Sequence, residues 1–249
     1  MPRIPLHVRS EAEAAAYEHG YRGDRGERDG WLEYTSRIVP GNIWITARAA
    51  EGPYYVAVEH APVVAELAAE AIARTGPGVA RYLVGDTRAL RSFVRRVYQL
   101  SRSLPDTPLL EFANQVDKLP RSTEAERLVV QRVGQNIFRR RLLDYWDGKC
   151  PLTGITDAAL LRASHIKPWV ACATDAERLD VHNGLLLSSL WDAVFDGGLL
   201  TFDTDGYPLF SEDLSEEARV ALISGERALQ LSTEHEIYLS WHRRHVFQG

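Results

Sequence analysis

The sequence predicts an α+β protein of two domains, in which a mixed strand and helix domain precedes a strand, loop, strand and helix. Three observations predict this class. Short stretches rich in aromatic and β-branched residues alternate with turn signals between residues 31 and 60. Longer stretches with helical spacing follow them. Further on, the apolar run GLLL leads into a short segment that carries two aspartates and ends at two glycines.

Composition bounds the class of protein. The chain has 249 residues, of which 45% are hydrophobic, enough for one substantial core or two smaller ones. It has no run of eighteen apolar residues and no apolar signal core at its start, so we expect a cytoplasmic protein without membrane insertion. The two cysteines, Cys150 and Cys172, predict buried reduced thiols, and Cys172 with His182 as zinc ligands is the alternative.

The first domain is expected to cover residues 1–120. Its start is polar and ends in GYRGDRGERDG, whose glycines and charges predict a flexible loop. WLEYTSRI, NIWITAR and YYVAVEH then predict strands, separated by PGN and EGP. Residues 62–74 and 86–103 predict helices, the second capped by Asp86. Prolines at 105, 108 and 120 predict a stiff connector that ends this domain.

The second domain is expected to cover residues 121–249. Thr123 and Glu126 form the spacing of a capping box, which predicts a helix from Thr123 to about Trp146. The elements predicted after it are a turn at KCPLTG, a strand at ALLRASHI, a polar excursion over 167–182, a strand at GLLL, a helix from about Ser188 to Asp196, and a hairpin of LLTFD and YPLFS.

Charge is unevenly distributed along the chain. The net charge is −5, which argues against a uniformly basic surface, yet phosphate binding needs only a local basic face. Residues 121–149 hold seven cations against four acids, whereas residues 203–236 are rich in acids. The basic stretch is either a solvated helix face or a phosphate-binding surface. Its cations are Arg121, Arg127, Arg132, Arg139, Arg140, Arg141 and Lys149.

Asp192 and Asp196 stand four residues apart in the predicted helix. Residues with this spacing project from one helix face, so both carboxylates can approach one ion. Oxygen ligands favour Mg²⁺ or Mn²⁺ over Zn²⁺. The alternative is that Asp196 caps the helix or forms a local ion pair, for instance with Arg178.

The order of these elements resembles a known family. ASHIKPW, RLDVHNGLLL and WDAVFD resemble the motifs of the HNH endonucleases, which have a ββα-metal finger, over about residues 131–202. The resemblance implies that His165 is the general base and that Asn183 orients this histidine and holds the loop. It also implies that Asp192 and Asp196 are metal ligands, although the family usually has a histidine at the first of these positions.

Two further residues stand near the expected metal site. Ser164 occupies the position before the base, where the family often has an acidic or histidine ligand, and His182 precedes Asn183 and could also reach the ion. The cations expected to bind DNA are Arg140, Arg141, Arg162, Lys167 and Arg243.

The resemblance implies a metal-dependent endonuclease that hydrolyses phosphodiester bonds in double-stranded DNA. A restriction-type enzyme is expected, whose N-terminal domain chooses the target by sequence or methylation, and cleavage of both strands would favour a homodimer. The alternative is an HNH-fold DNA-binding or regulatory protein with weakened catalysis, because the helix lacks the usual histidine. The aromatic residues of the first domain either line a pocket for a flipped or modified base or face the core. They are Trp31, Tyr34, Trp44, Tyr54 and Tyr55.

Overall fold

The computed structural model describes residues 4–117, 119–120, 122–223 and 228–249 and has the predicted α+β fold. Lys118 of the predicted connector and Arg121 of the basic stretch lie outside these ranges. The chain forms two compact units, Met1–Thr107 and Pro108–Gly249, whereas the prolines placed the boundary at residue 120. No helix in the described ranges combines the length and apolar character needed to span a bilayer.

The first unit is built on a five-stranded antiparallel sheet in the order β1-β2-β3-β4-β5. The three predicted strands are β2, β3 and β4, and the cap of α3 is confirmed because the Asp86 carboxylate accepts a hydrogen bond from the Ala89 amide at 2.8 Å. The elements are α1 (Leu6–Glu18), β1 (Gly23–Arg28), β2 (Trp31–Thr35), β3 (Ile43–Ala47), β4 (Tyr54–Val58), α2 (Ala61–Glu66), β5 (Ala80–Val84) and α3 (Thr87–Ser103).

Two expectations for this unit are wrong. The glycine-rich stretch forms strand β1, because Asp29 and Gly30 adopt φ of 51° and 79° and make the tight turn that hairpins favour. The helix expected over 62–74 ends at Glu66. Beyond it the Ile72 amide donates to the Arg81 carbonyl at 2.8 Å, so pairing with the sheet edge overrides helix propensity.

The two faces of the sheet differ in character. Alternate strand residues point to opposite faces. Tyr34 and Tyr54 lie on the face covered by α1 and α3 and are 1% and 0% exposed, so these two aromatic residues belong to the core. By the strand register, Trp31, Trp44 and Tyr55 lie on the other face.

The second unit holds the remaining elements. Its capping box is confirmed: the Glu126 amide bonds to the Thr123 hydroxyl at 3.2 Å, and the Thr123 amide bonds to the Glu126 carboxylate at 2.9 Å. The elements are α4 (Thr107–Val116, which starts on the last residue of the first unit), α5 (Glu124–Tyr145), β6 (Leu161–His165), α6 (Asp175–Leu179), β7 (Gly184–Ser188), α7 (Ser189–Asp196), β8 (Leu200–Phe202), β9 (Pro208–Phe210), α8 (Glu216–Ile223) and α9 (Thr233–His245).

Two segments of this unit differ from their prediction. The expected connector contains helix α4, whose Phe112 and Val116 are buried. The polar excursion contains α6, which is capped by the Thr174 hydroxyl on the Glu177 amide at 3.2 Å. The prolines around α4 and the polar residues of α6 are typical of loops, and packing within the unit makes both segments helical.

A two-stranded antiparallel sheet of β6 and β7 lies at the centre of the second unit. Helices α5 and α7 both contact the hairpin, and every residue of β7 is buried, as its uninterrupted apolar run predicts. The packing of α5 is close at Gly184, where an added Cβ would lie 2.5 Å from Phe138 Cζ. The hairpin is therefore a rigid base for residues at its ends.

Candidate functional site

Asn183 closes the loop between β6 and β7. Its side chain is fully buried, and its Oδ1 accepts the Lys167 amide at 2.7 Å. Its Nδ2 donates to the carbonyls of Lys167 at 3.2 Å and Glu177 at 3.0 Å. One amide side chain thus joins both arms of the loop.

His165 ends strand β6 and points toward α5. Its ring stacks on Phe138 with centroids 3.7 Å apart and planes 15° apart. Its Nε2 lies 3.0 Å from the carbonyl oxygen of Arg178, at the end of α6. A carbonyl only accepts, so Nε2 carries the hydrogen and Nδ1 keeps its lone pair when the ring is neutral. Burial lowers the pKa of His165 below its ordinary value, which favours the neutral ring.

The acidic pair lies on α7. The Asp192 carboxylate accepts a hydrogen bond from the hydroxyl of Ser164. One turn later, partial burial and the negative charge of Asp192 raise the pKa of Asp196 to about 6. The charge of Asp192 therefore acts on Asp196, as expected for residues four apart on one helix. The alternative pairing of Asp196 with Arg178 is wrong, because Arg178 pairs with Asp175 at 2.9 Å.

The structure divides the predicted site between the two faces of β6. Ser164 and His165 are consecutive in the strand, so their side chains point to opposite faces. Ser164 meets Asp192 on the α7 side, and His165 stacks on Phe138 on the α5 side. The structure thus brings Ser164 and the acids together, and it brings His165 to the loop that Asn183 holds, without joining the two groups in a direct contact.

The donor atoms on the α7 side suit a hard cation. They are carboxylate and hydroxyl oxygens, and Mg²⁺ commonly binds through one or two carboxylates while keeping water and phosphate oxygens as its other ligands. In the described ranges, no group of three acidic, imidazole or thiol ligand atoms within 4.8 Å of one another includes Asp192 or Asp196. A closed four-ligand zinc site does not fit this arrangement.

His182 lies in a different environment. Its Nδ1 is 2.9 Å from the Asp180 carboxylate, whose second oxygen accepts the Tyr238 hydroxyl at 2.9 Å. The ring also meets Tyr145 and His235 edge-on. These contacts place His182 between the loop and helix α9, and none of them involves Asp192.

The basic residues of α5 are arranged differently from the expectation. The side chain of Arg141 is only 6% exposed and pairs with Glu111 and with Asp144, the latter at 3.1 Å. Arg140 is half-exposed and pairs with the same Glu111 at 2.9 Å. Arg141 in particular is turned inward, because α4 supplies an acid where the sequence predicted a connector. DNA binding by Arg141 stays a prediction, and two acids already engage its guanidinium.

The other three predicted cations also have partners within the unit. Arg162 donates to the carbonyls of Ala159 and Leu161 at 2.9 and 3.0 Å. Lys167 pairs with Glu177 at 3.0 Å. Arg243 pairs with Glu236 and donates to the Phe202 carbonyl at 2.8 Å. Of these, Arg162 is exposed and keeps the greatest access to a phosphate.

The sequence indicated these residues, but it did not indicate which partners they contact in the fold. Glu111 was assigned to a connector, and Arg178 was considered only for its side chain. The Thr174 and Glu177 spacing is that of a capping box, and it could have predicted α6. Nothing local in the sequence indicates that the free carbonyl at the end of α6 meets His165.

The second unit contains an antiparallel hairpin followed by a helix. A histidine ends the first strand, an asparagine precedes the second, and acids lie on the helix. This is the arrangement of a ββα-type nuclease finger. Residues 150–203 match a family model described as HNH endonuclease. This segment contains β6, β7 and α7, and the match confirms the predicted resemblance to the HNH endonucleases. No curated protein matches the chain.

Proposed function

We propose that this protein is a metal-dependent endonuclease that hydrolyses phosphodiester bonds in double-stranded DNA. The observation that carries the proposal is the hydrogen bond from Ser164 to Asp192. It fixes the acidic face of α7 against the strand that ends in His165, within the segment that matches the family. We favour a restriction-type enzyme that acts in the cytoplasm.

The residues divide the chemistry between them. Nδ1 of His165 takes a proton from the attacking water, since its Nε2 is already committed to the Arg178 carbonyl. Asn183 is a positioning residue, because it fixes the loop that carries this carbonyl. Asp192 and Asp196, with the Ser164 hydroxyl, would hold Mg²⁺ or Mn²⁺. When bound, such an ion supplies charge stabilisation for a phosphoryl oxygen and the leaving oxygen.

Plasmid nicking tests the proposal. Purified protein is incubated with supercoiled DNA and Mg²⁺, Mn²⁺ or a chelator, and Asp192→Asn is compared with Asp213→Asn, an exposed aspartate elsewhere in the unit. We expect metal-dependent cleavage that Asp192→Asn reduces at least about a hundredfold and that Asp213→Asn leaves unchanged. Equal cleavage by both variants, or cleavage in chelator, contradicts the proposal.

The target is chosen by the first unit in this proposal, by sequence or by methylation. Support comes from Trp44 and Tyr55, which lie on the sheet face opposite to the one covered by α1 and α3 and are only partly buried. Affinity for methylated and unmethylated duplexes of the same sequence measures the choice, and equal affinity removes the methylation-reading version. Cleavage of both strands at one site would require two centres, which a homodimer provides.

A second function, an HNH-fold DNA-binding or regulatory protein with weakened catalysis, is favoured by one observation. His165 is packed under Phe138 and its face of the strand is not the face of the acids. The same nicking assay distinguishes the two functions when a DNA-binding measurement accompanies it. Tight binding with no cleavage in either metal supports the regulatory function.

A further inference from the structure

The first unit contains a cavity that the nuclease proposal does not use. It has a volume of about 700 Å³ and lies on the sheet face opposite to the one covered by α1 and α3. A volume of this size is typical of pockets that bind small molecules. Its walls include Arg28, Trp31, Glu33, Trp44, Arg74 and Gly76.

The indole of Trp44 and one carboxylate form the floor of the cavity, beside the buried indole of Trp31. Glu33 and Trp44 are direct cross-strand partners in β2 and β3, and Trp31 lies two residues before Glu33 on the same face. One oxygen of Glu33 accepts the Asn42 amide at 3.3 Å. Within the described ranges, the other oxygen has no partner and the indole of Trp44 makes no hydrogen bond. The floor therefore offers flat apolar surface beside a free acceptor.

The opposite wall is a segment held firmly to the sheet. Arg81 donates to the carbonyls of Arg74 at 2.9 Å and Gly78 at 3.0 Å, which anchors both ends of the segment between them. Gly76 lies against the ring of Trp31, where an added Cβ would be 2.7 Å from Cζ2. The cavity is thus formed before any ligand arrives, which lowers the cost of binding.

The charges around the cavity indicate the kind of ligand. Arg74 is exposed, and its guanidinium stands over the ring of Tyr55 at 3.8 Å and over Trp31 at 5.7 Å. Arg28 is also exposed at the rim. An aromatic cage for a methylated ammonium group has no need of two arginines, whose charge would repel the ligand. A nucleotide satisfies both kinds of group, since its phosphates suit arginine and its base suits an aromatic floor.

We infer that this cavity binds a single unstacked cytosine-type base of DNA, with the ring on the indole of Trp44 and the exocyclic amine donating to Glu33. A carboxylate is the natural acceptor for the amino group of cytosine. Arg28 and Arg74 hold the flanking phosphates. The inference rests on the proposed function, because it gives the first unit the means to choose a DNA target.

Binding in chelator tests the inference without cleavage. The full chain is titrated with three fluorescent duplexes: one with a cytosine opposite an abasic site, one with a thymine there, and one fully paired. An unpaired base is easier to extrude than a paired one. We expect tightest binding to the unpaired cytosine, and Trp44→Ala should weaken it by roughly tenfold or more, because a base loses its stacking partner. Glu33→Gln should remove the preference for cytosine over thymine.

Leu83→Ala is the matched control for Trp44→Ala. Leu83 is 54% exposed on the same face of the sheet but outside this cavity, and its replacement should leave all three affinities unchanged. Circular dichroism checks that each variant folds. If Trp44→Ala does not fold, Glu33→Gln alone carries the test, since an amide of the same shape fits the site.

The outcomes separate this inference from the nuclease proposal. Equal binding of the three duplexes, or no effect of either cavity variant, overturns the inference even if the protein nicks plasmid DNA. Selective binding without any metal-dependent cleavage supports the inference and contradicts the nuclease proposal. Displacement of the duplex by a trimethyllysine peptide with no difference between cytosine and thymine would also overturn the inference, since it would show a cation cage.

Discussion

The hydrogen bond from His165 to a backbone carbonyl decides which ring nitrogen is free for chemistry. Because Nε2 donates to Arg178, the lone pair available to a water molecule is on Nδ1. The same carbonyl also holds the ring in one orientation, and Phe138 covers one of its faces. In the proposed function, these contacts prepare His165 to accept a proton at neutral pH.

We predict that His165→Ala abolishes cleavage, by at least about three orders of magnitude, while leaving DNA binding and the fold nearly intact. The physical reason is that the substitution removes the general base but breaks no ion pair. Initial rates of plasmid nicking and affinity for a duplex in chelator are the measurements. Retained nicking in this variant would show that another group activates the water.

Asp196 gives a prediction for metal-free protein. Its pKa is raised from an ordinary 3.8 to about 6, so the folded state binds the proton more tightly than the unfolded state does. Stability from this group is therefore present below pH 3.8 and is lost as pH rises through about 6. Asp196→Asn should raise the free energy of unfolding at pH 7.5 by less than about 1 kcal/mol, since solvent reaches this partly buried residue and screens its charge.

The same variant should respond differently to metal. Millimolar Mg²⁺ should raise the melting temperature of the wild-type protein and leave that of Asp196→Asn nearly unchanged, because a ligand that binds only the folded state stabilises it. Thermal unfolding with and without chelator measures both effects. An equal metal-induced rise in the two proteins would remove Asp196 from the site.

Helix packing around the β6 and β7 hairpin sets the site at the next scale. Helix α5 packs against Gly184 and the ring of His165, and α7 brings its acids to Ser164. Helix α9 completes the unit through His242, which stacks on Phe195 with centroids 4.1 Å apart and bonds to the Thr201 hydroxyl at 3.1 Å. The C-terminal helix thus closes the core behind α7.

Gly184→Ala should destabilise the protein by about 1–3 kcal/mol, because the added methyl group would overlap Phe138. Denaturant unfolding followed by circular dichroism measures the change. Gly85→Ala is the control, since an added Cβ meets nothing within 4 Å there. A stability equal to that of the wild-type protein would mean that Phe138 has room to move away from His165.

The docking of α9 should depend on pH. Burial lowers the pKa of His242 from 6.5 to about 4, so the unfolded chain binds the proton more tightly. The contribution of His242 to the free energy of unfolding is then fully present above pH 6.5. About 2–3 kcal/mol of it is lost as pH falls toward 4. His242→Gln should flatten this part of the stability profile. An unchanged slope between pH 6.5 and 4 would assign it to other groups.

Local signals predicted the elements that carry the site. The capping box at Thr123, the apolar run of β7 and the glycines after α7 each act within a few residues, so the sequence reveals them. Helix propensity failed over residues 67–74, where the amide of Ile72 bonds to a strand that follows in the chain. Strand alternation predicts that consecutive residues of β6 point to opposite faces. The contact partners of these residues are distant in the sequence, so no local pattern predicts them.

At the scale of the whole molecule, the two units divide recognition from chemistry in the function proposed here. The first unit has one sheet and the second has two, and each unit has its own buried core. The prolines indicated a division of the chain, but they could not place it, because Pro108 lies inside helix α4. A proline in the first turn of a helix is well tolerated, so it marks a helix start as readily as a linker.

We predict that residues 105–249 expressed alone fold and nick DNA in the presence of Mg²⁺ or Mn²⁺, with the target preference of the full chain lost. The second unit has the size of an ordinary domain and contains every residue assigned to hydrolysis. Cleavage patterns on a long duplex, compared between fragment and full chain, measure the preference. An identical pattern for both proteins would place target choice in the second unit.

The buried side-chain amide of Asn183 also affects the chemical lifetime of the protein. Asparagine is a thermolabile residue, and here a glycine follows it, which leaves the backbone nitrogen unhindered for attack on the side chain. In the folded state the side chain is held by three hydrogen bonds to backbone groups and is shielded from water. Each unfolding event exposes it to deamidation. The resulting aspartate would place an oxygen against the two carbonyls that Nδ2 now donates to. Deamidation in the unfolded state would therefore prevent the loop from refolding to its native conformation.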